Sequence, residues 1–338
     1  MPAILTHDFF GQDSLGAVSS VLGFESFDEH DAFLLGNQGP DPLFYLLADP
    51  LIDSRTHDVG ELMHHLRPAR LLLALHDSLA TLPFAERHVA EAYAAGFLCH
   101  YLLDSTVHPL VFAEQYGICD VGIPELDRSD GGRVHAEIER DLDEAVLFSH
   151  KGVTVKEHIP WKECLRASDA TLATIDKMYS YAIRWTYGRS LPRNTFTHAV
   201  KSFRLVQHLF WAPYVAKREL LGKLEQKFSH QRYSLYRAMA HRLRAEATSD
   251  FDNRERATWT DPFTGKLRCE GFWDLYRVAQ ERVQSAMRTF FATDFDERAA
   301  NLLTGGLNFS GEVVADDLPE TYVQTQTAAT LINDGGES

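Results

Sequence analysis

The chain has 338 residues, 45% of them apolar and 24% charged, which allows a large core and is ordinary for a globular protein. Its net charge of −15 repels polyanions and argues against a long nucleic acid as partner. No run of about 18 uncharged apolar residues occurs, so no membrane-spanning helix is expected; Met1 to Gly11 lack a basic-then-apolar leader, and the cytoplasm is the expected compartment.

In chain order, a Gly/Pro loop stands at 36–42 (GNQGPDP), ahead of a helical pattern over 58–80. Segment 84–104 is rich in Ala, Leu and Glu with apolar residues every three or four positions, and the same reading covers 131–148, 161–186, 196–227, 229–246 and 270–293. Loops are marked by DRSDGG at 127–132 and WTDPFTG at 259–265. Few stretches alternate strictly, so the expected class is all-α, a multi-helix bundle, with residues 1–308 as one domain. Lys and Arg are absent from residue 299 onward, and 309–338 read as an acidic tail. The four cysteines (Cys99, Cys119, Cys164, Cys269) are scattered with no CxxC pair, which predicts buried free thiols.

The chemistry concentrates in the first 140 residues. In HYLLDSTVHP, His100, Asp104 and His108 are spaced i, i+4, i+8 and share a helix face, so imidazole nitrogens and a carboxylate point the same way one turn apart, a reach that a zinc ion can bridge. Pro109 is expected to end or bend the helix there, which would let His108 serve a different ion from His100. His135 and Glu139 form a second i, i+4 pair on a helix opened by SDGG, with Glu137 and Asp141 elsewhere on the wheel. His7, Asp41, and the adjacent His64 and His65 are isolated candidates; singly, Asp41 reads as a turn or N-cap residue, His64 or His65 as an exposed residue, and His7 says nothing. Phe9, Phe10, Phe44, Tyr45 and Tyr101 lie near these positions, and helical spacing favours core roles for them over a cage for a cationic head group.

Taken in order, the set resembles the zinc-dependent phospholipase C family, whose all-α fold is shared with the S1/P1-type nucleases. The family's ligands run His, Asp, His, His-x3-Asp, His, His-x3-Glu; here the order reads His7, Asp41, His64, His100 with Asp104, His108, and His135 with Glu139. HYLLDSTVHP looks like the family's central motif, and the likeness covers about residues 1–145. It implies two or three zinc ions: one on Asp41, His64, His100 and Asp104; one on His108, His135 and Glu139; and a third on His7 with Asp104 bridging. The Met-His order favours His64, with His65 as fallback. The family's mature N-terminal amine also helps to hold the third ion; here removal of Met1 would leave the Pro2 amine five positions before His7. The implied activity is hydrolysis of a phosphodiester, in a lipid head group at a membrane surface or in a small molecule, with Asp41 orienting or deprotonating the attacking water. The alternatives are an S1/P1-like nuclease and a non-catalytic zinc-binding helical protein.

Overall fold

In the computed structural model, which describes residues 3–49, 52–122, 126–211, 215–229 and 234–314, the backbone is mainly helical. The helices are α1 (Ile4–Ser19), α2 (Phe27–Gly36), α3 (Val59–His65), α4 (Pro68–Thr81), α5 (Phe84–Cys119), α6 (Gly131–Lys151), α7 (Pro160–Glu163), α8 (Asp169–Tyr187), α9 (Thr195–Phe210), α10 (Val215–Ser229), α11 (Leu235–Met239), α12 (Phe272–Phe290) and α13 (Glu297–Thr304). The described sheet structure is one antiparallel pair, β1 (Trp259–Thr260) with β2 (Leu267–Arg268). An all-α architecture is therefore observed. No helix among the described residues is long and apolar enough to cross a membrane.

The axis of the molecule is α5. It packs against α1, α2, α4, α6, α8 and α12, and from Ala90 to Val111 nearly every side chain is buried. A helix apolar on all sides must be surrounded by others, and that requirement makes a multi-helix core around α5. The approach of α2 is closest at a pair of glycines. A Cβ on Gly96 would meet the Phe33 carbonyl at 2.1 Å, and one on Gly36 the Tyr93 carbonyl at 2.3 Å. Only hydrogen fits at those two points, and the contact brings the end of α2 onto the face of α5 that carries His100.

Several expected boundaries move. The pattern over 58–80 is split between α3 and α4, because Arg67 adopts a left-handed conformation (φ 54°) and Pro68 starts a new helix without an N–H to give. Segment 161–186 breaks at 164–168, where Ser168 caps α8 by accepting from the Thr171 N–H. Segment 196–227 ends as a helix at Phe210 and resumes at Val215; 212–214 lie outside the described residues. Of 229–246, residues 235–239 are helical and 230–233 lie outside the described residues. Residues 240–249 are not helical, because Arg242 and Arg244 turn onto the buried carboxylates Asp141 and Glu144 of α6.

Pro109 does not end its helix: α5 runs on to Cys119. Its missing N–H leaves the Ser105 carbonyl without a helical partner, and Gly311 sits against that carbonyl and the proline ring. The tail expected from residue 309 begins within the core. Phe309 is fully buried, its N–H donates to the His64 carbonyl, and Leu307 bridges to Val313. Residues 315–338 lie outside the described residues. Cys99, Cys119 and Cys164 are buried free thiols, whereas Cys269 is exposed. Phe9, Phe10, Tyr45 and Tyr101 are core residues, and Phe44 is half-buried against the core.

Candidate metal centre

Five elements bring the eight candidate residues to one buried place. His7 comes from the first turns of α1; Asp41 starts a 3-10 helix over Asp41–Ala48; His64 lies in the last turn of α3. His100, Asp104 and His108 follow one another up α5, and His135 and Glu139 lie on α6. All eight are at most 7% exposed. Asp41, read from the sequence as a turn or N-cap residue of the Gly/Pro loop, is a buried residue at the first position of that 3-10 helix.

The ligand atoms fall into three groups, within each of which they lie no more than 4.8 Å apart: His7, Asp41 and His100; His64, His100 and Asp104; His108, His135 and Glu139. Four ligands held about 2.1 Å from a tetrahedral ion stand about 3.4 Å from one another. The measured separations bracket that value. His64 Nε2 is 3.0 Å from Asp41 Oδ1, His100 Nε2 is 3.0 Å from Asp104 Oδ2 and 3.9 Å from Asp41 Oδ1, and His7 Nε2 is 3.2 Å from Asp104 Oδ1. In the other group, Glu139 Oε1 is 3.3 Å from His108 Nε2 and 3.2 Å from His135 Nε2.

Helix geometry explains why three ligands on one unbroken helix face two groups. Each i+4 step advances about 40° beyond a full turn, so His100 and His108 diverge by about 80°. Asp104 lies between them, 3.0 Å from His100 and 3.8 Å from the His108 ring. No break at Pro109 is needed to separate the two histidines.

Each of four imidazoles is held by its other nitrogen. His64 Nδ1–H donates to the Gly60 carbonyl (2.7 Å), His100 to the Asn37 carbonyl (3.0 Å), His108 to the Phe309 carbonyl (2.8 Å) and His135 to Gln115 Oε1 (2.9 Å). A carbonyl can only accept, so Nδ1 carries a proton, and a ring that is neutral presents its lone pair at Nε2. Those lone pairs face carboxylate oxygens, which are also acceptors. Consistent with that clash, His100 Nε2, Asp104 Oδ2, His135 Nε2 and Glu139 Oε2 are buried with no hydrogen-bond partner, as is His7 Nδ1. Buried acceptors turned on one another require protons or cations between them. The donor set of imidazole nitrogens and carboxylate oxygens fits divalent metal ions.

The same crowding governs the titration of the metal-free cluster. Burial opposes ionisation of Asp104, yet the facing His100, His108 and His7 hold it well below the usual carboxylate range. Glu139 and Asp41 are lowered in the same way, Glu139 by His135 and His108, Asp41 by His100 and His64. Burial opposes the charge on His108, but Asp104 and Glu139 raise it to about 10. Metal ions would take the place of these protons. A cavity of about 30 Å³, room for about one water molecule, is bounded by His7, Asp104, His108 and Glu139 on one side and by Leu103, Phe272 and other apolar side chains on the rest.

Of the two adjacent histidines, His64 joins the cluster. His65 lies outside it, with burial and the neighbouring His64 and His108 lowering it to about 4. Met1 and Pro2, whose amine was considered for the third ion, lie outside the described residues. Sequence reasoning missed Gln115, Phe309 and Asn37, which hold the ligand rings. Asn37 and the positive-φ Gly39 (φ 50°) do fall in the Gly/Pro loop at 36–42, and such a loop next to Asp41 was their one visible sign. Neither a family model, nor a curated protein, nor a solved structure matches the chain, so the likeness to phospholipase C rests on the order and spacing of these eight residues.

Proposed function

We propose that the chain is a zinc-dependent phosphodiester hydrolase of the phospholipase C type, with the fold of that family and of the P1-type nucleases. The observation that carries this reading is the convergence of all eight motif residues on one buried cluster with tetrahedral ligand spacing. His64, His100, His108 and His135 would bind through Nε2, with Asp41, Asp104 and Glu139 supplying the carboxylates and His7 a further nitrogen. Zinc bound there would supply positive charge for phosphoryl oxygens and would lower the pKa of water toward about 7. The chain's own residues do the rest. The Nδ1 hydrogen bonds fix the imidazoles of His64, His100, His108 and His135, Asp104 reaches His100 with one oxygen and His7 with the other, and Asp41 would orient the attacking water or accept its proton. In the reaction, water adds to phosphorus, the P–O bond to the alcohol breaks, and a phosphomonoester and an alcohol leave.

A second reading, a metal-held scaffold without activity, is favoured by how closed the cluster is, since the cavity beside it is only about 30 Å³. Metal content by elemental analysis, followed by hydrolysis of bis(p-nitrophenyl) phosphate with and without a chelator, separates the two. The hydrolase reading expects two or three zinc ions per chain, chelator-sensitive turnover, and loss of that turnover in a folded His100→Ala variant. Metal without turnover on any phosphodiester, liposomal phospholipid and single-stranded DNA included, leaves the scaffold.

A further inference from the structure

The charge of the chain is unevenly placed. Residues 201–244 hold ten Lys and Arg against two Asp and Glu, a net of +8 in a chain of −15. Arg242 and Arg244 are engaged by Asp141 and Glu144 of α6, Arg237 by Glu219 and Arg204 by the Leu165 carbonyl, and the exposed cations on the described faces of α9 and α10 are Lys201 and Lys223. Both acidic residues of that stretch are turned onto α11 and its cap. Glu219 pairs with Arg237 at 2.9 Å, and Glu225 accepts from Ser234 and from the Tyr236 N–H. The same stretch displays leucines to solvent. On α9, Leu205 and Leu209 are 64% and 54% exposed at i, i+4, with the exposed Lys201 one turn earlier on that face. On α10, Leu220 and Leu224 are 61% and 42% exposed at i, i+4, with the exposed Lys223 beside them. The two helices meet around Tyr236: Phe210 at the end of α9 lies 5.1 Å from its ring, and Leu221 of α10 packs on the same small cluster.

We propose that the exposed faces of α9 and α10 form a docking surface for an anionic lipid bilayer. Scattered apolar residues need no explanation, but two consecutive helices that repeat an exposed leucine pair beside a lysine make a patterned surface. Aliphatic side chains enter the headgroup–acyl boundary while lysine stems extend their ammonium groups to lipid phosphates, and neither needs a preformed groove. A protein partner is the weaker match, because protein hot spots centre on aromatic and Arg anchors in pockets. The acidic remainder of the chain does not forbid approach: at physiological salt, charges beyond about 8 Å are largely screened, so the nearest cations govern contact. The proposal stands independently of the metal centre and holds for the chelated protein as well.

The test is sedimentation of the full chain with vesicles of phosphatidylcholine, alone or mixed with phosphatidylglycerol, at low and high salt. Binding is expected to the mixed vesicles and to weaken with salt. The double variants Leu205→Glu/Leu209→Glu, Leu220→Glu/Leu224→Glu and Lys201→Glu/Lys223→Glu should each lower the partition coefficient about ten-fold or more, with unchanged helical circular dichroism because the changed residues are exposed. Failure of the chain to bind anionic vesicles overturns the proposal, and so do variants that bind as the parent does. Elution as a dimer that the leucine changes convert to a monomer, without vesicle binding, assigns the face to a second copy and overturns it too.

Discussion

Gly39→Ala would separate an ion held around His100, as the metal-centre reading has it, from the rest of the cluster. Gly39 has φ 50°, and a Cβ there would lie 2.3 Å from His100 Cδ2 and 2.7 Å from Nε2. Ordinary contact begins at 3.4 Å, so the ring must retreat by about 1.1 Å. It cannot do so freely, because the ring is fully buried and Nδ1 is bound to the Asn37 carbonyl. Metal–ligand distances tolerate about 0.2 Å, so a shift near 1 Å removes His100 as a ligand. Disturbing a residue that merely supports a ligand costs about 10- to 100-fold in affinity, and loss of the ligand itself should cost at least about 100-fold. The left-handed conformation adds about 1–2 kcal/mol of strain for alanine. Gly122→Ala is the control: φ is 82°, but no atom lies within 4 Å of the added methyl group, so it carries the backbone strain without the collision. Competition with a calibrated chelator, read by elemental analysis, should show one ion lost in Gly39→Ala, the ion of His108, His135 and Glu139 kept, and no loss in Gly122→Ala. Equal metal affinity in Gly39→Ala and the parent would refute the placement of His100 as a ligand.

Three further outcomes are expected. Gln115→Leu removes the acceptor for His135 Nδ1–H and should weaken the second ion about 10- to 100-fold without touching the first, whereas Gln115→Glu should retain or strengthen it; unchanged zinc affinity in the Leu variant would dissociate Gln115 from the site. Phe309→Ala empties a fully buried position among His64, His100 and Tyr101 and should cost about 3–5 kcal/mol in urea unfolding; a cost under about 1 kcal/mol would show that residues near 309 contribute little to the fold. Asp13 and His150 join α1 to α6 at 2.8 Å, and Tyr276 of α12 donates to the same carboxylate. Burial opposes the Asp13 charge, but His150 and Tyr276 lower its pKa, so its contribution is lost as pH falls through that lowered value; Asp13 raises His150, so its contribution is lost as pH rises through the raised value. The stability difference between the parent and Asp13→Asn should therefore be fullest between about pH 4 and 6.5, the ordinary values of the two groups, and, with both side chains partly exposed, reach about 1 kcal/mol or less. A difference flat in pH would remove the pair as its source.

Most helices that sequence reading located have one solvent face and one core face; α5, buried nearly all round, was found by its run of Ala, Leu and Glu, and the missed α1 lacks such a contrast. In α1 the polar His7, Asp8 and Ser14 are as buried as Ile4, Phe9 and Phe10, so no period separates inside from outside. α2 is short and opens on the exposed Phe27, and α13 is a single pair of turns. The breaks have other causes. Pro68 was the one local sign of the break at Arg67, whereas 240–249 is held extended by buried carboxylates about a hundred positions earlier, which leaves no local trace in the residue types.

Legibility of the centre follows the same division between what a side chain declares and what a backbone supplies. His100, Asp104 and His108 announce themselves because a helix turns spacing into a shared face. His7, Asp41 and His64 have no such neighbour, and only their order in a motif singled them out. The groups that hold the rings were invisible, since three of the four are backbone carbonyls, which every residue carries. Yet those carbonyls give the cluster its chemical sense. A neutral imidazole whose Nδ1 donates to a carbonyl has nothing left but a lone pair to turn toward Asp41, Asp104 or Glu139, and a fold that buries several such pairs of acceptors must place cations between them or accept the cost of desolvated charge. Protons can fill that role, as the raised His108 indicates, but they bind one lone pair at a time. An ion with several coordination positions could satisfy His100, Asp104 and their neighbours together, and separations of 3.0–3.9 Å among their ligand atoms are compatible with a tetrahedral site.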